Sequence, residues 1–174
     1  MFLINFAKWS ALFTTSLIFD ILGVIIIPIA LLFAKESDDH LPSIFWPWDN
    51  DRDGINGDGE TGISGWRGPE HANGLERTFW YRYVWLAFRN PSNNYGYFCG
   101  IEPKGDFSVI GNEDFGITQS TGCVFVTCDN GWCFYLVLPY GFGKGIRIAA
   151  GWKFWDRTRT LAQIVLVVNP VFNV

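Results

Sequence analysis

The feature that most restricts what this chain can become is its run of residues 11–34, apolar almost throughout and carrying one charge, Asp20. As an α-helix it is long enough to cross a bilayer, which takes about 20 residues. Lys8 and Trp9 stand at one end and Lys35 at the other, residue types that anchor a helix at the water–lipid boundary. The run is too long for the core of a cleaved signal peptide, and Leu32 and Ala34 make a poor small-x-small cleavage site. A buried core helix, or an apolar arm held inside an assembly, is the alternative. Asp20 near the middle is costly in lipid and is expected to face a partner helix, a water defect or a pore. Pro28 is expected to kink the helix.

A second stretch carries the chemistry. Asp49 to Glu60 reads Asp-Asn-Asp-Arg-Asp-Gly-Ile-Asn-Gly-Asp-Gly-Glu and fits the twelve-residue calcium pattern D-x-[DN]-x-[DN]-G-x5-E. Asp49, Asp51 and Asp53 would supply side-chain oxygens, Gly54 the sharp turn and Ile55 a main-chain carbonyl. Gly57 would act through a water, and Glu60 would close the shell with both oxygens. Carboxylates packed this densely repel one another, and Arg52 offers little compensation, so a hard dication such as Ca2+ is the economical partner. Asn56 stands where such loops usually carry an apolar residue. Pro42 and Pro47 before it, and Thr61-Gly62-Ile63-Ser64-Gly65 after it, argue against a helix-loop-helix pair. The expectation is therefore a calcium loop on a non-helical scaffold, against a solvated Asp/Asn/Gly turn cluster without a ligand.

With 174 residues the chain is one domain plus attachments: an amino-terminal helix and polar collar over 1–40, a Trp/Pro and acidic segment over 41–74, and a folded remainder over 75–174. Aromatics make up 18% of it, a load that points to a membrane interface or a tightly packed assembly. A net charge of −4 argues against nucleic-acid binding, which wants a basic surface. Only His40 and His71 are available as histidines, too few for a His-rich zinc site.

Leu75 to Asn90 is expected to be a helix, capped by Asn73 and stopped by Pro91, with Arg82 and Arg89 two turns apart. It reads as the core helix of the folded part with its arginines reaching water, or as an interfacial helix with arginines at phosphate level. Beyond it, 95–101, 107–110, 123–128, 132–138, 145–155 and 161–168 are β-branched or aromatic runs broken by Gly, Pro, Asn and Asp. They predict an antiparallel sheet or small open barrel, giving an α+β fold that is mostly β. Asn130-Gly131 suggests a two-residue type I′ turn, and Gly141 to Gly145 a hairpin connection. Asn169-Pro170 would end the last strand. Of the cysteines at 99, 123, 128 and 133, that turn sets Cys128 opposite Cys133, within reach of a disulfide. Two buried thiols are the alternative, as in a cytoplasmic domain.

The order Trp46-Pro47-Trp48-Asp49-Asn50, Asp53-Gly54, Trp66, Trp85-Leu86 and Arg89-Asn90-Pro91, then Gly151-Trp152-Lys153 and Asn169-Pro170, resembles a family of small uncharacterised tailed-bacteriophage proteins. Those proteins also begin with an apolar segment. Their pattern includes the Asp-Asn and Asp-Gly pairs but not reliably Asp51 or Glu60. The resemblance implies a phage origin and no particular activity.

No nucleophile, Walker or His-Glu-x-x-His motif is present. The expected function is non-enzymatic: a membrane-anchored phage protein whose calcium-stabilised β domain meets a protein partner, or another copy of itself, at the host envelope. The lysines weakly favour a cytoplasmic amino terminus and a periplasmic domain. A virion component with a buried arm, or a metal-dependent hydrolase, is the alternative.

Overall fold

An apolar run this long has one low-energy outcome, a helix that satisfies its own backbone. In the computed structural model, which describes residues 2–35, 37–51, 53–57, 78–115 and 119–173, helix α1 runs from Phe2 to Leu31, through Pro28. Its length is about 45 Å at the usual rise. By length and composition it could cross a membrane. The buried positions Asn5, Trp9, Ser16, Gly23, Ile27 and Ala30 recur every three, four or seven residues and form a single stripe.

The chain forms two compact units, and α1 contributes to both. Residues 1–14 join 96–174, and residues 15–95 form the other. In the second unit a 3-10 turn, Ser43–Trp48, is followed by helix α2, Phe79–Val84, which passes into a π-turn over Trp85–Arg89. Its core gathers Ile27, Ala30, Leu31, Leu41, Trp48, Ile55, Trp85 and Leu86. Trp48 donates its indole N–H to the Phe19 carbonyl at 2.8 Å, and a Cβ at Gly23 would press on the same indole. Asp20 accepts a hydrogen bond from Ser92 Oγ, so its partner lies within the chain's own unit. Helix α3, Asn93–Phe98, follows.

The first unit is a five-stranded antiparallel meander: β1 Ser108–Gly111, β2 Gly122–Cys128, β3 Gly131–Gly141, β4 Lys144–Trp152 and β5 Ile164–Asn173. This is the expected α+β architecture with an open sheet. One face carries Val124, Val126, Cys133, Val137 and Ala149, each at most 2% exposed. On that face Tyr135 stacks between Phe115 at 4.8 Å and Trp155 at 4.3 Å. The other face receives the start of α1. Phe2, Phe6 and Trp9 close on Trp132, Trp9 Nε1 donates to the Gly151 carbonyl at 2.9 Å, and Asn5 Nδ2 to the Asp129 carbonyl at 3.1 Å.

Four local expectations are corrected. Residues 95–101 hold no strand: 93–98 are helical, with Tyr95 stacked on Phe19 at 3.9 Å. The β2–β3 turn is Asp129-Asn130, because Cys128 pairs with Gly131. Asn130 is fixed there by accepting from the Lys104 N–H and donating to the Glu102 carbonyl. Gly131 is required for space, since a Cβ would run into Ile101 and Phe154. That register sets Cys133 opposite Val126, leaves Cys128 on the diagonal and removes the disulfide, and the four cysteines are thiols. Burial pushes the Cys133 thiol up to about 12, so it is inert at neutral pH. Lastly, β5 does not end at Pro170. It continues to Asn173 across an irregularity opposite Gly145 and Arg147 in which Pro170 falls, and proline is tolerated at such a bulge of an edge strand.

Candidate functional site

The acidic loop belongs to the second unit, and its geometry follows from short polar residues bonding their own backbone. Asp49 closes the 3-10 turn, its N–H returning to the Trp46 carbonyl. Asn50, with no exposure at all, accepts from the Asp53 N–H at 3.1 Å and from Asn93 Nδ2 at 2.9 Å, and donates to Asp53 Oδ2 at 3.3 Å. Gly54 has φ +70, as position six of a calcium loop requires, and its carbonyl accepts the Trp85 indole N–H. Asn94 grips the loop from α3. It accepts from the Asp51 N–H and donates to Asp51 Oδ1, both at 2.9 Å, and also reaches the Trp46 carbonyl.

Arg82 holds the far side. It is 3% exposed, and its guanidinium donates to Asn56 Oδ1 at 2.8 Å, the Lys35 carbonyl at 2.8 Å and the Asp38 carbonyl at 3.0 Å. Asn56 in turn donates to Asp39 Oδ1, and the Ile55 N–H to the Asp39 carbonyl. Both readings of Arg82 from sequence, at water or at phosphate level, are corrected: it is a buried brace between the polar collar and the loop.

The expected ligands are distributed as follows. Asp49 and Asp51 come together, and His40 joins them: their ligand atoms lie within 4.8 Å of one another, with His40 Nδ1 at 3.4 Å from Asp49 Oδ2. The Asp53 carboxylate turns to Asn50. Ile55 buries its side chain in the core, and Gly57 has φ +90. Glu60, like Arg52 and His71, lies outside the described residues. Sequence reasoning missed His40, Asn93 and Asn94. The Asn-Asn pair directly after Pro91-Ser92 was the available signal, since such residues seek backbone groups to bond.

Burial raises the Asp49 pKa above the ordinary carboxylate range. The N–H groups of Asn50 and Leu41 and the His40 charge pull it back, and Asp51 adds to the rise. A carboxyl whose folded pKa exceeds its unfolded one contributes stability that is complete below the unfolded pKa and lost as pH rises through the folded value. In chelator, the unfolding midpoint of the wild type is therefore expected to carry a decline starting near about pH 4, and Asp49→Asn to lack that decline. Urea titrations across that range decide it. A decline of equal size in both proteins removes Asp49 as the source.

Two carboxylates and one imidazole, partly open to solvent, are groups of the kind that could hold a metal ion. They offer no nucleophile. Compared with known proteins, the chain belongs to the family of unknown function DUF7338, whose model covers residues 1–173. No curated protein and no solved structure matches it.

Proposed function

We propose that this member of a family of unknown function is a membrane-anchored, non-enzymatic protein whose folded units present an interaction surface at a bilayer. The carrying observation is the outer side of α1. Only 17% of its most apolar window is buried, which does not suit the core helix of a soluble protein. Ile18, Ile21, Ile25 and Ile29 lie between 48% and 67% exposed on that side. The hydroxyls of Ser10 and Thr14 donate to the carbonyls of Phe6 and Ser10, one turn back, so both are satisfied within the helix. Asp20, the one charge of the run, bonds Ser92 and is spared the lipid.

Carbonate washing of membranes from expressing cells is expected to leave the intact protein in the pellet. Its release into the supernatant would favour a virion component with a buried apolar arm. The resemblance to small tailed-bacteriophage proteins supports a host-envelope setting for the anchored form, with a partner protein or a second copy as its contact.

The acidic loop has a structural part in this reading: calcium held by Asp49, Asp51, Asp53, Ile55, Gly57 and Glu60 relieves the cost of burying Asp49. The positive φ of Gly54 and the approach of Asp49 to Asp51 support it. At a hundredfold excess over its dissociation constant, calcium is expected to add about 2.7 kcal/mol. Melting curves with calcium and with chelator then separate, and Asp49→Ala merges them. Wild-type curves that coincide at millimolar calcium would reduce the loop to a hydrogen-bonded turn. A catalytic metal, the hydrolase alternative, would instead keep open positions for water.

A further inference from the structure

We infer that α1 lies flat in one leaflet of the bilayer and does not cross it, so that lipid covers its outer side alone. This rests on the membrane reading of α1 and names the geometry of that contact.

A spanning helix holds the middle of its apolar run at the centre of the hydrocarbon layer. In the run 11–34 that level is near Phe19, Asp20 and Gly23, and the second unit is fastened there. Trp48 bonds the Phe19 carbonyl, Ser92 bonds Asp20, and Tyr95 stacks on Phe19. Asp49 follows Trp48 directly. Asn93 and Asn94 follow Ser92 and grip Asn50 and Asp51. The acidic loop is therefore tied to the middle of the run.

That loop does not suit hydrocarbon. Asp51 and Asp53 are exposed, and the His40 side chain beside Asp49 is 54% exposed. In a span these groups would face acyl chains near mid-depth, where ionisable side chains are costly and turn inward. The backbone around them carries the same message. Residues 37–51 and 53–57 form a 3-10 turn, other turns and bends, with neither α-helix nor strand. Irregular backbone of this kind is not found facing lipid. With α1 flat in the leaflet, the loop stays in water.

The two sides of the helix select lipid over a second copy. Gly23 and Ala30, small residues of the kind that let helices approach closely, are buried on the inner side around Trp48. The outer side holds Ile18, Leu22, Ile25 and Ile29, three or four residues apart and between 42% and 67% exposed. Branched side chains with no small residue among them suit fluid acyl chains. On the flank, Tyr83 donates to the Val24 carbonyl at 3.3 Å, and its ring meets Trp80 and Phe88 edge-on, both exposed. Tyrosine and tryptophan collect at headgroup level, which borders a flat helix and is distant from the middle of a spanning one. The same geometry accounts for a helix that is apolar all round: the core covers one side and the leaflet the other.

The test uses the full chain with Cys123→Ser, the other three thiols being buried, reconstituted from detergent into vesicles of phosphatidylcholine and phosphatidylglycerol. A nitroxide is placed in turn on Ala11→Cys, Leu22→Cys and Ile29→Cys, all exposed positions of α1, with Ile25→Cys repeating the reading near the middle. Depth is read from relaxation by oxygen against a water-soluble nickel chelate. The expected result is one shallow depth, about 5–10 Å, shared by every label. A span would set Leu22→Cys deeper than Ala11→Cys by roughly 16 Å. That result overturns the flat geometry and leaves the anchor reading standing. A chain that stays out of the vesicles defeats both. Labels that neither agent reaches, with spin–spin broadening that follows protein concentration, assign the outer side to a second copy and overturn the inference too.

Discussion

Alanine at Gly151 is expected to destabilise the sheet unit by on the order of 3 kcal/mol, the sum of backbone strain and overpacking. Gly151 sits in β4 at φ +103, a conformation that L side chains rarely adopt. A Cβ there would overlap the Trp132 carbonyl oxygen and stand 2.8 Å from Cys133 Cα, and both neighbours are backbone of the central strand β3. Neither can step aside without breaking the Cys133–Gly151 pairing. The same residue's carbonyl accepts the indole N–H of Trp9, so displacement also loosens the start of α1. Gly141→Ala is the control: its φ is +120 but nothing lies within 4 Å, so it isolates the backbone strain. Urea unfolding of both variants should show the larger loss at Gly151. Equal losses would mean that the close approach of β3 relaxes freely.

Arg82→Ala is expected to cost on the order of 4 kcal/mol in the second unit. Hydrogen bonds to a charged group contribute about 1.5–3 kcal/mol each, and the acceptors left behind are partly buried. Three groups lose their donor together: the Lys35 and Asp38 carbonyls and the Asn56 amide oxygen. Arg82→Lys should recover only part of the loss, because one ammonium cannot reproduce a planar fork reaching three directions. The check is denaturant unfolding together with exchange of the Ile55 amide, whose bond to the Asp39 carbonyl depends on the same collar. An Arg82→Lys protein as stable as the wild type would contradict the brace.

Where the sequence was legible, a long pattern or a single-purpose residue carried the signal. The helix was visible because a run such as 11–34 has few other outcomes. The strands were visible because β-branched runs alternate with glycine and asparagine breaks. Gly141 to Gly145 announced its hairpin correctly, since Phe142-Gly143 is the turn itself. Asn130-Gly131 misled because its glycine serves the approach of Ile101 instead of a positive φ, a tertiary demand that no local pattern states. Tyr95 to Ile101 has aromatic residues in strand-like alternation, but Asn93 and Asn94 are drawn into the acidic loop and the segment coils behind them. Pro170 suggested a strand end and is instead accommodated on an edge.

The site was half visible for the same reason. Asp49, Asp51, Asp53 and Gly54 stand close in sequence and could be read together. His40 arrives from nine residues upstream, and Arg82, Asn93 and Asn94 from a later segment, so only the folded chain assembles them. Buried arginine is also rare enough that a sequence reading sends it to the surface.

The central claim is that the outer side of α1 belongs in lipid. Flotation of the full chain with liposomes, compared with the variant Ile18→Glu, Ile21→Lys, Ile25→Glu, tests it directly. These positions are between 52% and 67% exposed, so the circular dichroism and unfolding midpoint should survive the change. The wild type is expected to float with the vesicles and the folded variant to remain at the bottom of the gradient. A folded variant that floats as well as the wild type, or a wild type that stays soluble and monodisperse without lipid, would contradict the account.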